Sequence, residues 1–247
     1  MMEHAAHYDA LAGTFTDHWA YSRAFVAWMT TALLDRLQPH ADAALADVGS
    51  GPGLYAAALA ERAQLAHPID CVEPSPAMRA ELPTTVTPVA ATAEHIATGP
   101  EATYDGLWVK EALHHVPHDE RPAVLAGLFR RLRPGGRMLL VTWPRRVEHP
   151  LFPAAHEHLA RVADRLPPGN LADELDQLGG QVTLTYDSFL VTMPTERWID
   201  MVRARYLSLL ARFTDDELAE GIAHIRRDHP ETTVAFRDRY AFITARR

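Results

Sequence analysis

A single cysteine, Cys71, stands in a chain of 247 residues. With no second thiol there is no internal disulfide, and a reducing cytoplasm is the simplest setting. There is no run rich in Lys and Arg, and the formal net charge is −8. The basic surface that nucleic-acid phosphates and anionic membranes demand is therefore missing. No stretch approaches the roughly 18 consecutive apolar residues of a transmembrane helix. Residues 1–12 carry Glu3 and Asp9 where a secretory signal would have a basic and then an apolar region. Repeats and low-complexity segments are also missing. Histidine is abundant, at 14 residues. Its densest groups are His156-Glu157-His158, Glu111 with His115, and His114-His115-His118. None has a matching cysteine or a spaced second pair, so solvated histidines explain them better than zinc. What remains is an ordinary globular composition, 47% hydrophobic and 23% charged. The length suits one α/β domain with insertions or a helical cap.

The chain is organised around Asp47-Val48-Gly49-Ser50-Gly51-Pro52-Gly53. A short apolar run, residues 43–46, precedes it and reads as a buried strand. Residues 54–67, rich in Ala and Leu, follow it and read as a helix. Glycines at alternate positions leave the turn without Cβ atoms, so a ligand can lie against the backbone. The dinucleotide fingerprint G-x-G-x-x-G fits poorly. The third glycine comes one residue early, and Leu54 takes the place where glycine permits close helix packing. Twenty residues past Gly53, a second strand ends at Glu73. At that spacing one carboxylate can accept hydrogen bonds from both ribose hydroxyls of an adenosine ligand.

Further along, residues 86–90 read as a short strand. Pro88 cannot donate to a ladder, so this strand belongs at a sheet edge. Residues 104–110 form a fourth strand, which ends at Lys110 and leads into Glu111-Ala112-Leu113-His114-His115. An amphipathic helix over 119–132 follows. Then come Arg133-Pro134-Gly135-Gly136 as a turn and 137–142 as a fifth strand. Beyond Trp143 the reading is helices at 151–166 and 171–178, a strand at 181–191 and a helix over 194–212. A capping box at Thr214 opens a further helix to about 230, and a last strand covers 239–245. Residues 8–37 read as largely helical.

Four ordered motifs, D-V-G-S-G-P-G, the strand-terminal Glu73, the L-H-H run and L-R-P-G-G-R-M-L, together resemble class I S-adenosylmethionine (SAM)-dependent methyltransferases of the small-molecule type. The resemblance covers residues 45–142 and fades after Trp143. It implies a Rossmann-like α/β fold, with a seven-stranded, mostly parallel sheet of order 3-2-1-4-5-7-6 and helical lid insertions. The chain would be a single domain. Residues 1–37 form its cap, 43–144 the cofactor-binding core, 145–180 and 194–230 the lid, and 181–192 and 239–245 the last two strands.

SAM is the cofactor that the resemblance implies. It assigns Asp47, Gly49, Ser50, Gly51 and Gly53 to the loop motif and Glu73 to the ribose. Pro74, Ser75 and Met78 would lie along the adenine, with Met78 offering a polarizable contact. Thr92, Ala93 and Glu94 form a further adenine contact. Tyr21 and Arg23, spaced Tyr-x-Arg where the family has Tyr-x-x-Arg or a similar pair, reach the carboxylate end of SAM. Lys110 ends the strand whose tip faces the ligand crevice.

For chemistry, Glu111 on a helical turn would lie beside both His114 and His115. A carboxylate so placed would orient an imidazole and raise its pKa. One of the two histidines, with His115 favoured by its four-residue spacing, then suits a general base. The other possibility is that one packs against the cofactor and the other is solvated. The expected partner is a small-molecule acceptor, neither nucleic acid nor membrane. A non-methylating SAM-bound enzyme such as a cyclase would share every motif, and a nicotinamide dehydrogenase is disfavoured by Leu54 and L-R-P-G-G.

Overall fold

The computed structural model describes residues 20–247. Seven strands form one sheet in the order β3-β2-β1-β4-β5-β7-β6. They are β1 (Leu45–Val48), β2 (Asp70–Val72), β3 (Thr87–Val89), β4 (Tyr104–Lys110), β5 (Leu132–Thr142), β6 (Gln181–Pro194) and β7 (Thr233–Arg246). The first five are parallel, and β7 runs antiparallel to both β5 and β6. This is the Rossmann-like fold and the order that the resemblance implied. The helices are α1 (Arg23–Leu37), α2 (Leu54–Ala63), α3 (Pro76–Ala80), α4 (Ala93–Ala97), α5 (Arg121–Arg130), α6 (Pro153–Asp164), α7 (Pro168–Gln177), α8 (Thr195–Arg203) and α9 (Asp215–Asp228). Among the described residues no helix is long and apolar enough to cross a membrane.

Side chains alternate across the sheet, as a period of two requires. Trp108, Leu139 and Val141 enter one core layer with α1, α2, α6, α8 and α9. Leu107, Val109, Met138 and Leu140 enter the other with α4, α5 and α7. Helices on both faces explain why the parallel strands read as continuous apolar runs. Strand β3, with Pro88, lies at one edge of the sheet, where its missing N–H is tolerated.

Several boundaries differ from the sequence reading, each for a local reason. The helix expected over 8–37 is described only from Arg23. Tyr21 has φ +42° and ends the helix, and the Ser22 side chain caps it by accepting from the Phe25 N–H at 3.1 Å. Residues 8–19 lie outside the described residues. The single helix expected over 194–212 breaks after Arg203. Arg205 has φ +54°, and a short 3₁₀ turn covers Ser208–Arg212. Strand β7 begins at Thr233 instead of 239. Its first half does alternate, burying Val234, Phe236 and Asp238, but the buried acid and its flanking arginines mask the pattern in the sequence.

Gly127 lets α5 approach α4. A Cβ there would stand 2.5 Å from the Ala97 carbonyl oxygen. The contact is with backbone, which cannot rotate away. The clash should therefore exceed the helix-propensity gain of about 1 kcal/mol. Gly127→Ala is expected to lose about 1–3 kcal/mol of stability in urea unfolding; an unchanged or raised midpoint would show that the helices separate freely.

Candidate functional site

The turn from β1 to α2 has Gly49, Gly51 and Gly53 at φ +77°, +55° and +74°. These left-handed values cost an L side chain energy. A Cβ on Gly49 would also stand 2.4 Å from the Cβ of Ala112, in the segment after β4. The Gly49 and Ser50 N–H groups both donate to the Val72 carbonyl, at 2.8 and 3.2 Å, which fastens the turn to the end of β2. The next residue is Glu73. Its Oε2 accepts from the Gly51 N–H at 2.9 Å and its Oε1 from the Ser75 N–H at 2.8 Å. The glycine turn and the strand-terminal acid are thus one hydrogen-bonded unit. Ser75 also caps α3, accepting from the Met78 N–H at 3.1 Å.

A cavity of about 440 Å³ runs across the C-terminal ends of the strands, from the β2–β3 side to the β4–β5 side. That volume is typical of a small-molecule site. Asp47, Gly49, Ser50, Gly51, Glu73, Pro74, Ser75 and Met78 line it, as do Thr92, Ala93 and Glu94. Lys110, Glu111, His114 and His115 line its other end. Of the sequence-selected residues, three are not in the lining. Gly53 caps α2 and packs near Leu82. Tyr21 is buried in an aromatic cluster, edge-on to Phe25 and Phe236. Arg23, on the first turn of α1, is exposed. The expected Tyr-x-Arg pair thus stands away from the cavity lining, with Tyr21 in the core and Arg23 at the surface.

A second correction concerns Glu111. Its φ is +51°, so it does not begin a helical turn with the histidines. Its Oε2 forms an ion pair with Lys110, and its Oε1 is buried with no hydrogen-bond partner. The expected Glu111–histidine pairing is replaced by this ion pair. His114 and His115 instead pack against each other, with ring centroids 3.9 Å apart. Burial pulls the Lys110 ammonium down, but the Glu111 carboxylate beside it wins and holds it above its ordinary value. Burial pushes the Glu111 carboxyl up, with Lys110 opposing and Asp238 adding to the rise.

Several cavity residues carry no motif and were missed: Leu54, Tyr55, Trp143, Val162, Leu207, Ser208 and Leu209. Behind them lies a buried polar cluster that ties the loop after β5 and the segment after α8 to strand β7. His149 Nε2 is 2.9 Å from Asp238 Oδ1, and its Nδ1 is 3.3 Å from the Tyr206 hydroxyl. Tyr240 donates its hydroxyl proton to the other oxygen of Asp238. A neutral imidazole satisfies both contacts if Nε2–H donates to the carboxylate and Nδ1 accepts from the phenol. Among the described residues, no group of three His, Cys, Asp or Glu side chains is arranged to hold a metal ion.

Residues 45–136 match the family model of a methyltransferase domain. No curated protein matches the chain. Among solved structures, similarity extends to a candidate methyltransferase of an antibiotic biosynthesis pathway from Anabaena variabilis. The TM-score is 0.67 at 22% identity, over 89% of this chain and 96% of that one. The cyclase SpnF superposes with a TM-score of 0.59 at 17% identity, covering 89% of this chain and 80% of SpnF. A geranyl diphosphate methyltransferase bound to its substrate and sinefungin gives 0.54 at 19% identity, covering 90% and 77%. The resemblance to class I SAM-dependent methyltransferases therefore holds in sequence over the core and in fold over most of the chain.

Asp47, at the end of β1, is 3% exposed. Burial, with Glu73 adding and Lys110 opposing, pushes its carboxyl from 3.8 up to about 8. The folded protein then holds a proton that the unfolded chain releases, so stability falls as pH rises from about 4 to about 8. Asp47→Asn should remove that part of the slope and gain on the wild type as pH rises through this window. Urea unfolding of both proteins across the window measures the difference; parallel profiles would show that Asp47 titrates normally.

Proposed function

We propose that this methyltransferase-fold protein binds SAM in the cavity and transfers its methyl group to a small-molecule acceptor. The observation that carries the reading is the fixed carboxylate of Glu73. It is oriented by two backbone amides, one from the glycine turn, on the rim of a cavity large enough for the cofactor and part of an acceptor. Glu73 would take the ribose hydroxyls. Pro74, Ser75, Met78, Thr92, Ala93 and Glu94 would hold the adenine, and Gly49, Ser50 and Gly51 would carry the middle of the molecule over bare backbone. The methionine end would then lie towards Asp47 and Lys110.

When bound, SAM supplies an already activated methyl group, so the protein's work is positioning and exclusion of water. The lid residues Val162, Leu207 and Leu209 would cover the acceptor. His114 and His115, on the cavity wall, would take a proton from an acceptor hydroxyl or amine. A second reading has one supporting observation: the likeness to SpnF, a cyclase on the same fold. A cradle for the cofactor does not by itself require that the methyl leaves, since fold does not fix function.

Calorimetric titration with S-adenosylhomocysteine tests the binding claim. Wild type should bind one molecule per chain. Glu73→Ala removes a charged acceptor contributing about 1.5–3 kcal/mol, so affinity should fall roughly tenfold to a hundredfold. Gly51→Val, at φ +55°, should abolish binding. Unchanged affinity in both variants would refute the placement. A metabolite screen with methyl-labelled SAM separates the two readings, since label moves to product only in a transferase. With an acceptor in hand, loss of the catalytic histidine should lower kcat by about 10²–10⁴-fold with cofactor affinity intact; wild-type kcat in both His114→Ala and His115→Ala would leave positioning alone to carry the reaction.

A further inference from the structure

Lys110 is the chain's only lysine; every other cationic side chain apart from histidine is an arginine. Among the described residues, Lys110 is also the one Lys or Arg that lines the cavity, where it meets four acids, Asp47, Glu73, Glu94 and Glu111. Its ammonium is paired with Glu111. It also stands where the methionine end of the cofactor, with a carboxylate of its own, is read to lie. Residues 1–19 contain neither Lys nor Arg, so they have no such cation to add.

The space left for the acceptor lies between the His114–His115–Val116 segment and the proposed lid. One buried side chain joins these two walls. Arg121, 8% exposed at the start of α5, donates from Nε to the Val116 carbonyl at 2.9 Å and from Nη1 to the Arg165 carbonyl at 3.1 Å. Arg165 closes α6, which brings Val162 to the cavity. Helix α6 packs in turn on the 3₁₀ turn that supplies Ser208 and Leu209. The Arg121 guanidinium is thus spent on main-chain oxygens, and it does not line the cavity. Apart from the two imidazoles and the Ser208 hydroxyl, the walls it joins are apolar: Val116, Val162, Leu207 and Leu209.

We infer that this chamber takes an uncharged, mainly apolar acceptor and turns away molecules that carry a phosphate or a carboxylate. This rests on the reading of the glycine-turn end as the cofactor's, which is what commits Lys110 to the methionine end. An anion entering the chamber sheds water and meets no uncommitted Lys or Arg, and burying charge without a partner is costly. The carboxylates at the other end of the cavity add repulsion. A hydroxyl loses far less, because an imidazole nitrogen or the Ser208 hydroxyl can replace the water it gives up. The apolar walls then favour the remainder of the molecule in proportion to the surface they cover.

Three probes that share one ring system test the inference: naphthol, naphthyl phosphate and naphthoate. Calorimetry is run at about pH 7.5, where naphthol is neutral and an imidazole of ordinary pKa is mostly so, with and without S-adenosylhomocysteine. Naphthol should bind roughly tenfold or more tightly than either anion, and S-adenosylhomocysteine should not displace it. Ser208→Arg puts a guanidinium on the chamber wall. It should raise the affinity for naphthyl phosphate roughly tenfold to a hundredfold and leave naphthol within a few-fold. The melting temperature of the variant shows whether it is folded; if it is not, the wild-type panel decides alone. Equal affinities, a preference for either anion, binding of none of the three, or displacement of naphthol by S-adenosylhomocysteine overturns the inference. If S-adenosylhomocysteine binds and the probe order fails, the inference alone falls. If the probe order and the Ser208→Arg response hold while S-adenosylhomocysteine does not bind, the chamber stands and the cofactor reading falls.

Discussion

Three alternate left-handed backbone positions, at Gly49, Gly51 and Gly53, set the geometry on which the site depends. They bend the chain sharply between β1 and α2 and aim the Gly51 N–H at Glu73, while the Gly49 and Ser50 amides grip the end of β2. A side chain at any of them would need a strained conformation, and at Gly49 it would also collide with Ala112. The sheet order places β1 between β2 and β4. One turn therefore organises both neighbours: the acid after β2, Glu73, and the Lys110–Glu111 segment after β4.

The two ends of the cavity differ in electrostatic character. At the β2–β3 end Glu73 is held by backbone amides, donors that carry no net charge. At the β4 end, charges are buried against one another, Lys110 with Glu111, and the His149 imidazole is hydrogen-bonded to the buried Asp238 carboxyl. Burying charge is costly unless it is paired, and removing one partner would leave the other stranded. The His149–Asp238–Tyr206 contacts also join the loop after β5, strand β7 and the segment after α8. The segments around the β4 end of the cavity are thus fixed to the sheet by that cluster.

The core of the fold was legible because its signals are local. Apolar runs marked β1, β2 and β4, alternate glycines marked the turn, and Pro88 marked an edge strand. Glu73 could be found by counting from the glycines. What escaped depends on φ values or on distant partners. The left-handed Glu111 reads in sequence as an ordinary helix start, so its pairing with the histidines was expected where an ion pair with Lys110 forms. The left-handed Tyr21 looks like a ligand residue and is a core aromatic. Tyr55 and Trp143 belong to no motif; the one signal that could have marked them is that each directly adjoins an element end facing the crevice. Asp238 is invisible without β6, because only the full strand pairing shows that it points inward.

The most direct test of the central claim is a structure of the protein with S-adenosylhomocysteine. The account predicts one molecule per chain, its ribose hydroxyls on the Glu73 carboxylate, its adenine beside Met78 and Ala93, and its sulfur facing His114 and His115. Ligand bound with its ribose away from Glu73, or lying outside the cavity, would contradict it.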